Sequence, residues 1–450
     1  MLSGLLTRVF GKFESREEVK KYALLGITFG VLIAAYWGLR PLKDGIFQGI
    51  VGVDYTPYAK MLSLVAVLIL IGVYGKLVDW LPRNKVFYLL TGFYAVGALV
   101  FAYLLSHPVY GIPNTVESPA RIIGWLWYVF VESIGTMMVP LFWAFSTDVS
   151  TASSAKRGFP LIMLCAQFGN IVGPWFLRAT RLGFVNSAPV IAIAGGLIFL
   201  VGVLIWVFMR VTPKSEFHVA PQEETNKKEK PGFLEGLKLL ITNSYLLGIF
   251  VFLLAFEAVT TIVDFYFKFK VRAAFPDELM RSDYLATFAV ITGLLSFFSL
   301  LFGISNIQRK LGMRASLITL PVLMAGGVLI WWLYPVMLVA GFVVVAFKGL
   351  NYALNQPSIK QLYIPTSKDT RYKAQAWIEV FGNRGSKTVG SSINALKLPL
   401  SNSFGPAAGL AMYLSIASVS SLGLLVVWVL VAFFVSAKYN KATKENTVIC

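Results

Sequence analysis

The residues with most to offer chemically in this chain of 450 are charges set among apolar neighbours. The densest group lies in Tyr372-Lys-Ala-Gln-Ala-Trp-Ile-Glu-Val-Phe-Gly-Asn-Arg-Gly-Ser-Lys-Thr-Val-Gly390. At about 100° per residue, Lys373, Arg384 and Lys387 fall on one broad helical face, with Ala376, Val380 and Asn383 between them. Such a face must line a water-filled cavity or pack on polar neighbours. Arg384 offers bidentate hydrogen bonds and the lysines offer point charges, a set that suits a multiply charged anion such as a phosphate chain. Gly382, Gly385 and Gly390 allow a helix or ligand to approach the backbone closely. Further charges in apolar surroundings are Arg40, Lys43, Asp44, Lys60, Glu132, Glu257, Asp264, Lys348 and Glu379. Glu132 sits among Phe130, Val131 and Met137, and Glu257 within Leu-Leu-Ala-Phe-Glu-Ala-Val, so solvent explains neither. Both read as functional, with an ion pair or gate as the competing role. Lys60 and Lys348 have stems long enough to snorkel and rank second. Asp148, Lys156 and Arg157 fit an inter-helix ion pair or gate as well as a substrate contact.

Other chemistries find no support. The two cysteines, Cys165 and Cys450, and the two histidines, His107 and His218, lack metal-ligand or triad spacing, so no metal or cofactor is expected. Gly385-Ser-Lys-Thr has neither the leading glycine nor the preceding strand of a P-loop.

The elements that must position these charges are membrane spans. The chain is 57% hydrophobic and 14% charged, too little charge to cover a solvated surface. Its net charge of +18 suits lipid headgroups or an anionic substrate, and apolarity argues against nucleic acid. A bilayer needs about 20 apolar residues per helix. Twelve such stretches are present: Tyr22 to Leu42, Tyr58 to Trp80, Val86 to Ser106, Ile122 to Ser146, Phe159 to Leu177, Pro189 to Val211, Tyr245 to Phe267, Tyr284 to Ile304, Arg314 to Leu333, Val336 to Leu354, Ala374 to Leu396 and Ala407 to Val435. A Lys, Arg or Asp at mid-bilayer costs roughly 2.5 to 3.5 kcal/mol, so each charge named above needs a partner or a wet cavity. The expected organisation is a cytoplasmic N-terminus (1–21), a six-helix half (22–211), a cytoplasmic linker (212–244), a second half (245–435) and a cytoplasmic tail (436–450). Residues 1–21 carry Glu14, Glu17 and Glu18 and lack the core of a signal peptide, so the first span is expected to be retained. Lys and Arg concentrate in the termini and even-numbered loops, which places both termini in the cytoplasm.

A basic turn follows the second span, from Gly75 through Arg83 to Lys85, and another follows the eighth, from Gly303 through Arg309 to Arg314. Their matching positions point to two related halves and resemble the signature loop of the major facilitator superfamily. The fold expected is therefore an all-α integral membrane protein of twelve transmembrane helices, major-facilitator-like.

Four segments also resemble a particular family. Arg40-Pro-Leu-Lys43-Asp44 is similar to an Arg-x-x-Lys-Asp element, and Glu132 with Leu141-Phe-Trp-Ala-Phe145 to a glutamate preceding Leu-Phe-Trp-x-Phe. Ala155-Lys-Arg-Gly-Phe-Pro-Leu161 resembles Ala-Lys-Arg-x-Tyr-Pro-Leu. Tyr352, Pro357, Lys360, Tyr363-Ile-Pro365, Lys373, Ile378-Glu-Val380 and Arg384-Gly-Ser-Lys-Thr-Val-Gly390 follow the last and longest pattern. The family is that of the non-mitochondrial nucleotide transporters, or ATP/ADP translocases of NTT type, of intracellular bacteria and plastids. The chain departs from it at Pro41 and Leu42, which replace polar residues, and at Glu379, where an aspartate is common.

The resemblance implies a nucleotide exchanger, ATP for ADP, working by alternating access through a central basic cavity. Lys43, Arg384, Lys387 and Lys373 would meet the phosphates, and Arg40, Asp44, Glu132, Glu257, Lys360 and Glu379 would serve as charge partners or gates. Tyr36, Trp37 and Trp143 are candidates for stacking on the base. It further implies a monomer in the inner membrane of a bacterium, with nucleotide and lipid as its partners. Members also import nucleotides with protons or carry NAD. A proton-coupled carrier of another organic anion, with Glu132 or Glu257 as proton site, is the alternative on the same architecture; a non-transporting membrane protein would leave the intramembrane charges without purpose.

Overall fold

The computed structural model describes residues 13–213, 233–301, 305–351, 355–367, 377–378, 382–445 and 447–449. Among them every regular element is helical, as a bilayer requires of open-chain spans, because only a helix satisfies its own backbone in hydrocarbon. Ten helices among the described residues are long and apolar enough to cross a membrane. They are α1 Arg16–Ile50, α2 Thr56–Trp80, α3 Arg83–Ser106, α4 Ile122–Asp148, α5 Ala152–Phe176, α6 Ala188–Val211, α8 Ser244–Ala274, α9 Glu278–Leu301, α10 Ser305–Leu333, which Gly312 kinks so that its span is Gly312–Leu333, and α15 Pro406–Glu445. Helix α7, Phe233–Thr242, lies within the stretch that reads as linker. The tenth expected span begins as α11, Met337–Leu350, and is followed by α12, Gln356–Leu362. The eleventh ends in α13, Asn383–Ala395, with α14, Lys397–Phe404, after it; most of its first half lies outside the described residues. The chain is an all-helical, multi-pass membrane protein.

Helix α1 is longer than the apolar run that signals it. It starts at Arg16 because Ser15 caps it, its Oγ accepting from the Glu18 N–H at 2.9 Å, and Glu17 and Glu18 favour its positive end. It continues through Pro41 to Ile50, so Arg40, Lys43 and Asp44 stand well inside a helix rather than at its end. Thr151 caps α5 through a reciprocal pair with Ser154, and Gly405, at φ +85°, separates α14 from α15.

The chain divides into two compact units. The first comprises residues up to 52, 65–225 and 275–293; the second comprises 53–64, 226–274 and 294 onward. In the first unit α1 is the hub and packs on α4, α5 and α6. Its closest approach is to α5, where a Cβ on Gly169 would strike the Gly30 carbonyl and one on Gly173 the Ala34 carbonyl. Small residues at a crossing are how helices associate when lipid offers no hydrophobic drive. Arg157 of α5 closes this seam with ion pairs at 2.8 Å to Glu14 and Glu18. In the second unit α8 plays the corresponding part and packs on α11, α13 and α15. The first span thus meets the fourth, fifth and sixth, and the seventh meets the tenth, eleventh and twelfth.

Candidate functional site

In the first unit the Arg40-to-Asp44 turn of α1 faces α4. Lys43 is buried, and its Nζ lies 2.5 Å from Glu132 Oε1 and 3.5 Å from Asp44 Oδ1. The ammonium also sits over the Tyr128 ring, 4.2 Å from its centroid. One cation therefore holds two carboxylates and an aromatic face, an arrangement that offsets the cost of burying it. The Arg40 guanidinium lies 4.4 Å from the centroid of Trp37 and 5.9 Å from that of Tyr36. Two of the three stacking candidates thus attend an arginine. The third, Trp143, packs edge-on against Phe29, Phe142 and Phe159 at 5.2, 5.9 and 5.4 Å between centroids, within an aromatic cluster of the core.

In the second unit the charges are arrayed along α8. Glu257 accepts from Asn383 Nδ2 at 3.3 Å, and its Oε2 lies 3.7 Å from Lys387 Nζ, both partners being on α13. Gly390 brings α13 against α8, where a Cβ would meet the Ala258 carbonyl at 2.5 Å. Arg384 is half-buried in the first turn of α13, and Lys387 has 37% of its side chain exposed. Lys360 is exposed in the last turn of α12. Lys373 and Glu379 lie outside the described residues.

Two turns further along α8, Asp264 collects three lysines. Its Oδ1 accepts from Lys348 of α11 at 2.8 Å, and its Oδ2 faces Lys268 at 2.7 Å and Lys60 of α2 at 3.7 Å. The sequence marks Asp264, Lys60 and Lys348 as intramembrane charges but not as one group; the only signal of an association is the i, i+4 spacing of Asp264 and Lys268. Lys397 of α14 also goes unmarked in sequence. It is buried, 2.6 Å from Asp54 Oδ1 and 4.1 Å from the Phe269 centroid. Arg281 reads as a loop cation but is fully buried: it donates to the carbonyls of Phe275 and Pro276 at 3.1 and 2.9 Å and twice to that of Gly45, at 3.2 and 2.7 Å.

The charge-bearing positions of the two hub helices correspond. Lys43 of the first span meets Glu132 of the fourth, and Asp264 of the seventh meets Lys348 of the tenth, so the same joint recurs with its signs reversed. Buried, paired charges on packed spans are the mark of a transport path rather than of a catalytic centre. The profile of the TLC ATP/ADP transporter family matches residues 10–117 and 123–439.

The chain belongs to the TLC ATP/ADP transporter family.

Among relatives, ADP,ATP carrier protein 1 of Rickettsia prowazekii (strain Madrid E) is 26% identical over 480 residues, with 95% of each chain covered. The chloroplastic ADP,ATP carrier protein 2 of Arabidopsis thaliana is 26% identical over 486 residues, covering 95% of this chain and 76% of that one. Of solved structures, the nucleoside transporter NupG matches 93% of the chain and 99% of its own at a TM-score of 0.64 and 14% identity. The POT family transporter PepTSo matches 95% and 98% at 0.63 and 13%. These likenesses carry the fold, a major-facilitator-like bundle. This TLC family member is accordingly a transporter, and the fold expected from its sequence holds. Among the described residues ten of the twelve expected spans are long helices, and parts of the tenth and eleventh lie outside the described residues.

Proposed function

We propose that this protein exchanges nucleotides across the membrane, ATP against ADP, by alternating access, with Lys43, Arg384 and Lys387 receiving the phosphates and Lys373 assisting them. The reading extends to the bacterial inner membrane as location, both termini in the cytoplasm, and a monomer as the working unit. Support comes from the names borne by the relatives and, above all, from one observation: Lys43 is buried within a membrane span and held by acids of its own unit. A phosphate chain, like those carboxylates, presents anionic oxygens and can take their place on the ammonium. In the empty carrier Glu132 and Glu257 neutralise Lys43 and Lys387; on loading, the nucleotide supplies the negative charge and the acids are released. Reorientation with several cations stripped of any anion would be costly, so exchange is expected to outrun net transport. Efflux of labelled nucleotide from loaded proteoliposomes should be much faster with ATP or ADP outside than without. Equal efflux under both conditions, at several pH values, would rule out exchange and favour uniport or proton coupling.

A further inference from the structure

Helix α7 has no part in the reading above, and it is amphipathic. At about 100° per residue Leu240, Leu237 and Ile241 share roughly 100° of its surface, with Lys238 at the edge beside Ile241 and Thr242 beyond it. Leu240 is 2% exposed, Leu237 is half-buried and Ile241 is 65% exposed. The protein therefore covers one edge of the apolar face and leaves the other open. What lies beside the open edge follows from the level at which α7 sits. Asn243 ends one helix and starts the next: its Oδ1 accepts from the N–H groups of Tyr245 and Leu246 at 2.9 and 3.3 Å, so these donors leave the α7 ladder. From Tyr245-Leu-Leu-Gly-Ile-Phe250 onward α8 is apolar and enters hydrocarbon at once. Ser244, its first residue, accepts through Oγ from Lys438 Nζ of α15 at 3.0 Å. A lysine ammonium does not stay in hydrocarbon without a charge partner. Lys438 is exposed, and its partners among the described residues are that hydroxyl and the Phe434 ring, 4.7 Å away. The Ser244 corner is thus at headgroup level, and Ile241 stands three residues from it. Lys441 and Lys444 follow Lys438 along α15, exposed and with no acid in ion-pair reach among the described residues.

We propose that this end of the second unit docks on the headgroups of an anionic leaflet. Helix α7 lies in the interface with Leu237 and Ile241 against the acyl chains, and Lys238 reaches from the edge of that face to the lipid phosphates. Lys438 and Lys441 hold further phosphates beside α8. The occupant is an anionic phospholipid such as phosphatidylglycerol, because a lipid presents acyl chain and anion together, as Ile241 and Lys238 require. Each lysine near an anionic surface strengthens such docking by about fivefold. The assignment does not depend on which cargo the protein carries.

Two measurements on the full chain in lipid nanodiscs test this. In the first, with Cys165→Ala and Cys450→Ser in place, a nitroxide is attached at Ile241→Cys or at Thr242→Cys, about 100° apart on α7. The label at 241 should be several-fold more accessible to oxygen than to a water-soluble nickel chelate, and the label at 242 should show the reverse. Nickel accessibility as high at 241 as at 242 overturns the proposal. The second needs no cysteine replacement: native mass spectrometry reads how much phosphatidylglycerol and phosphatidylcholine the protein retains on release from mixed nanodiscs. The unsubstituted chain should prefer phosphatidylglycerol, and Lys238→Gln, Lys438→Gln and Lys441→Gln together should lower that preference by about tenfold or more. An unchanged preference overturns the proposal. Displacement of bound phosphatidylglycerol by millimolar inorganic phosphate does so too, since it would make the lysines a site for the free anion.

Discussion

Replacing Glu132 by Gln probes a deeply buried charge pair of the first unit. Lys43 and Glu132 have 4% and 13% of their side chains exposed and approach to 2.5 Å. Removing one partner of a buried pair costs roughly 3–5 kcal/mol, because the remaining charge stays in a medium of low dielectric. Two neighbours soften that cost here. Asp44 remains 3.5 Å from the ammonium, and the Tyr128 ring lies 4.2 Å away, a cation–π contact worth about 0.5–2 kcal/mol. Glu132→Gln should therefore lose about 2–3 kcal/mol of stability. Lys43→Gln should lose at least as much, since two carboxylates are left without their shared cation. In the double variant neither the ammonium nor the Glu132 carboxylate remains, so its loss should fall short of the sum of the singles by about 1–3 kcal/mol. The assay is unfolding of all four proteins in detergent micelles, with and without ATP. On the proposed replacement of Glu132 by nucleotide at the Lys43 ammonium, ATP should stabilise Glu132→Gln more than the unsubstituted protein. Additivity of the two single losses to within about 0.5 kcal/mol would refute the coupling, and with it the argument that Lys43 exchanges one anion for another.

The more exposed pair should behave differently: Glu257→Gln should cost under about 1 kcal/mol, as Lys387 is 3.7 Å away and partly solvated, yet counterflow of nucleotide should fall while the melting temperature holds. Asp54→Asn should destabilise by more than about 1 kcal/mol, because Lys397 would keep only the Phe269 ring, and Lys397→Met added to it should recover part of the melting temperature. Gly173→Val should prevent α1 and α5 from closing and abolish folded protein in size-exclusion profiles, whereas Gly326→Ala, which meets nothing within 4 Å, should be neutral or gain about 0.5–1 kcal/mol in melts. Trp143→Leu should leave the ranking of ATP, GTP and UTP in competition assays unchanged, while Trp37→Leu should weaken all three by loosening Arg40.

Spans are legible in this sequence because hydrocarbon imposes length and apolarity on each helix separately, and both are local properties. The charges are legible for the same reason: Lys43, Glu132, Glu257 and Lys387 stand out against their apolar neighbours. Their partnerships are not legible from spacing. Lys43 and Glu132 are 89 residues apart, and the lysines on Asp264 come from three helices, so packing decides which charges meet. Arg281 shows a further limit. It donates to backbone carbonyls, which leave no trace in residue type, and a count of loop cations reads it as topology. Lys60 and Lys348 read as snorkelling side chains because each alone has a stem long enough; only their shared acid reveals otherwise.

The seam between α1 and α5 has a mechanical consequence. Where Gly169 and Gly173 lie against Gly30 and Ala34, backbone rests on backbone, with no side chain between to change rotamer and absorb a displacement. Near the start of α1, Arg157 clasps Glu14 and Glu18; further along the same helix stands Lys43, about 37 Å of helix axis beyond Glu18 at 1.5 Å per residue. Two helices joined in this way behave as a single rod. On the proposed exchange of anions at Lys43, a push on the ammonium would be felt at the distant clasp almost undiminished, and little entropy would be spent in stiffening the rod, since it is stiff already.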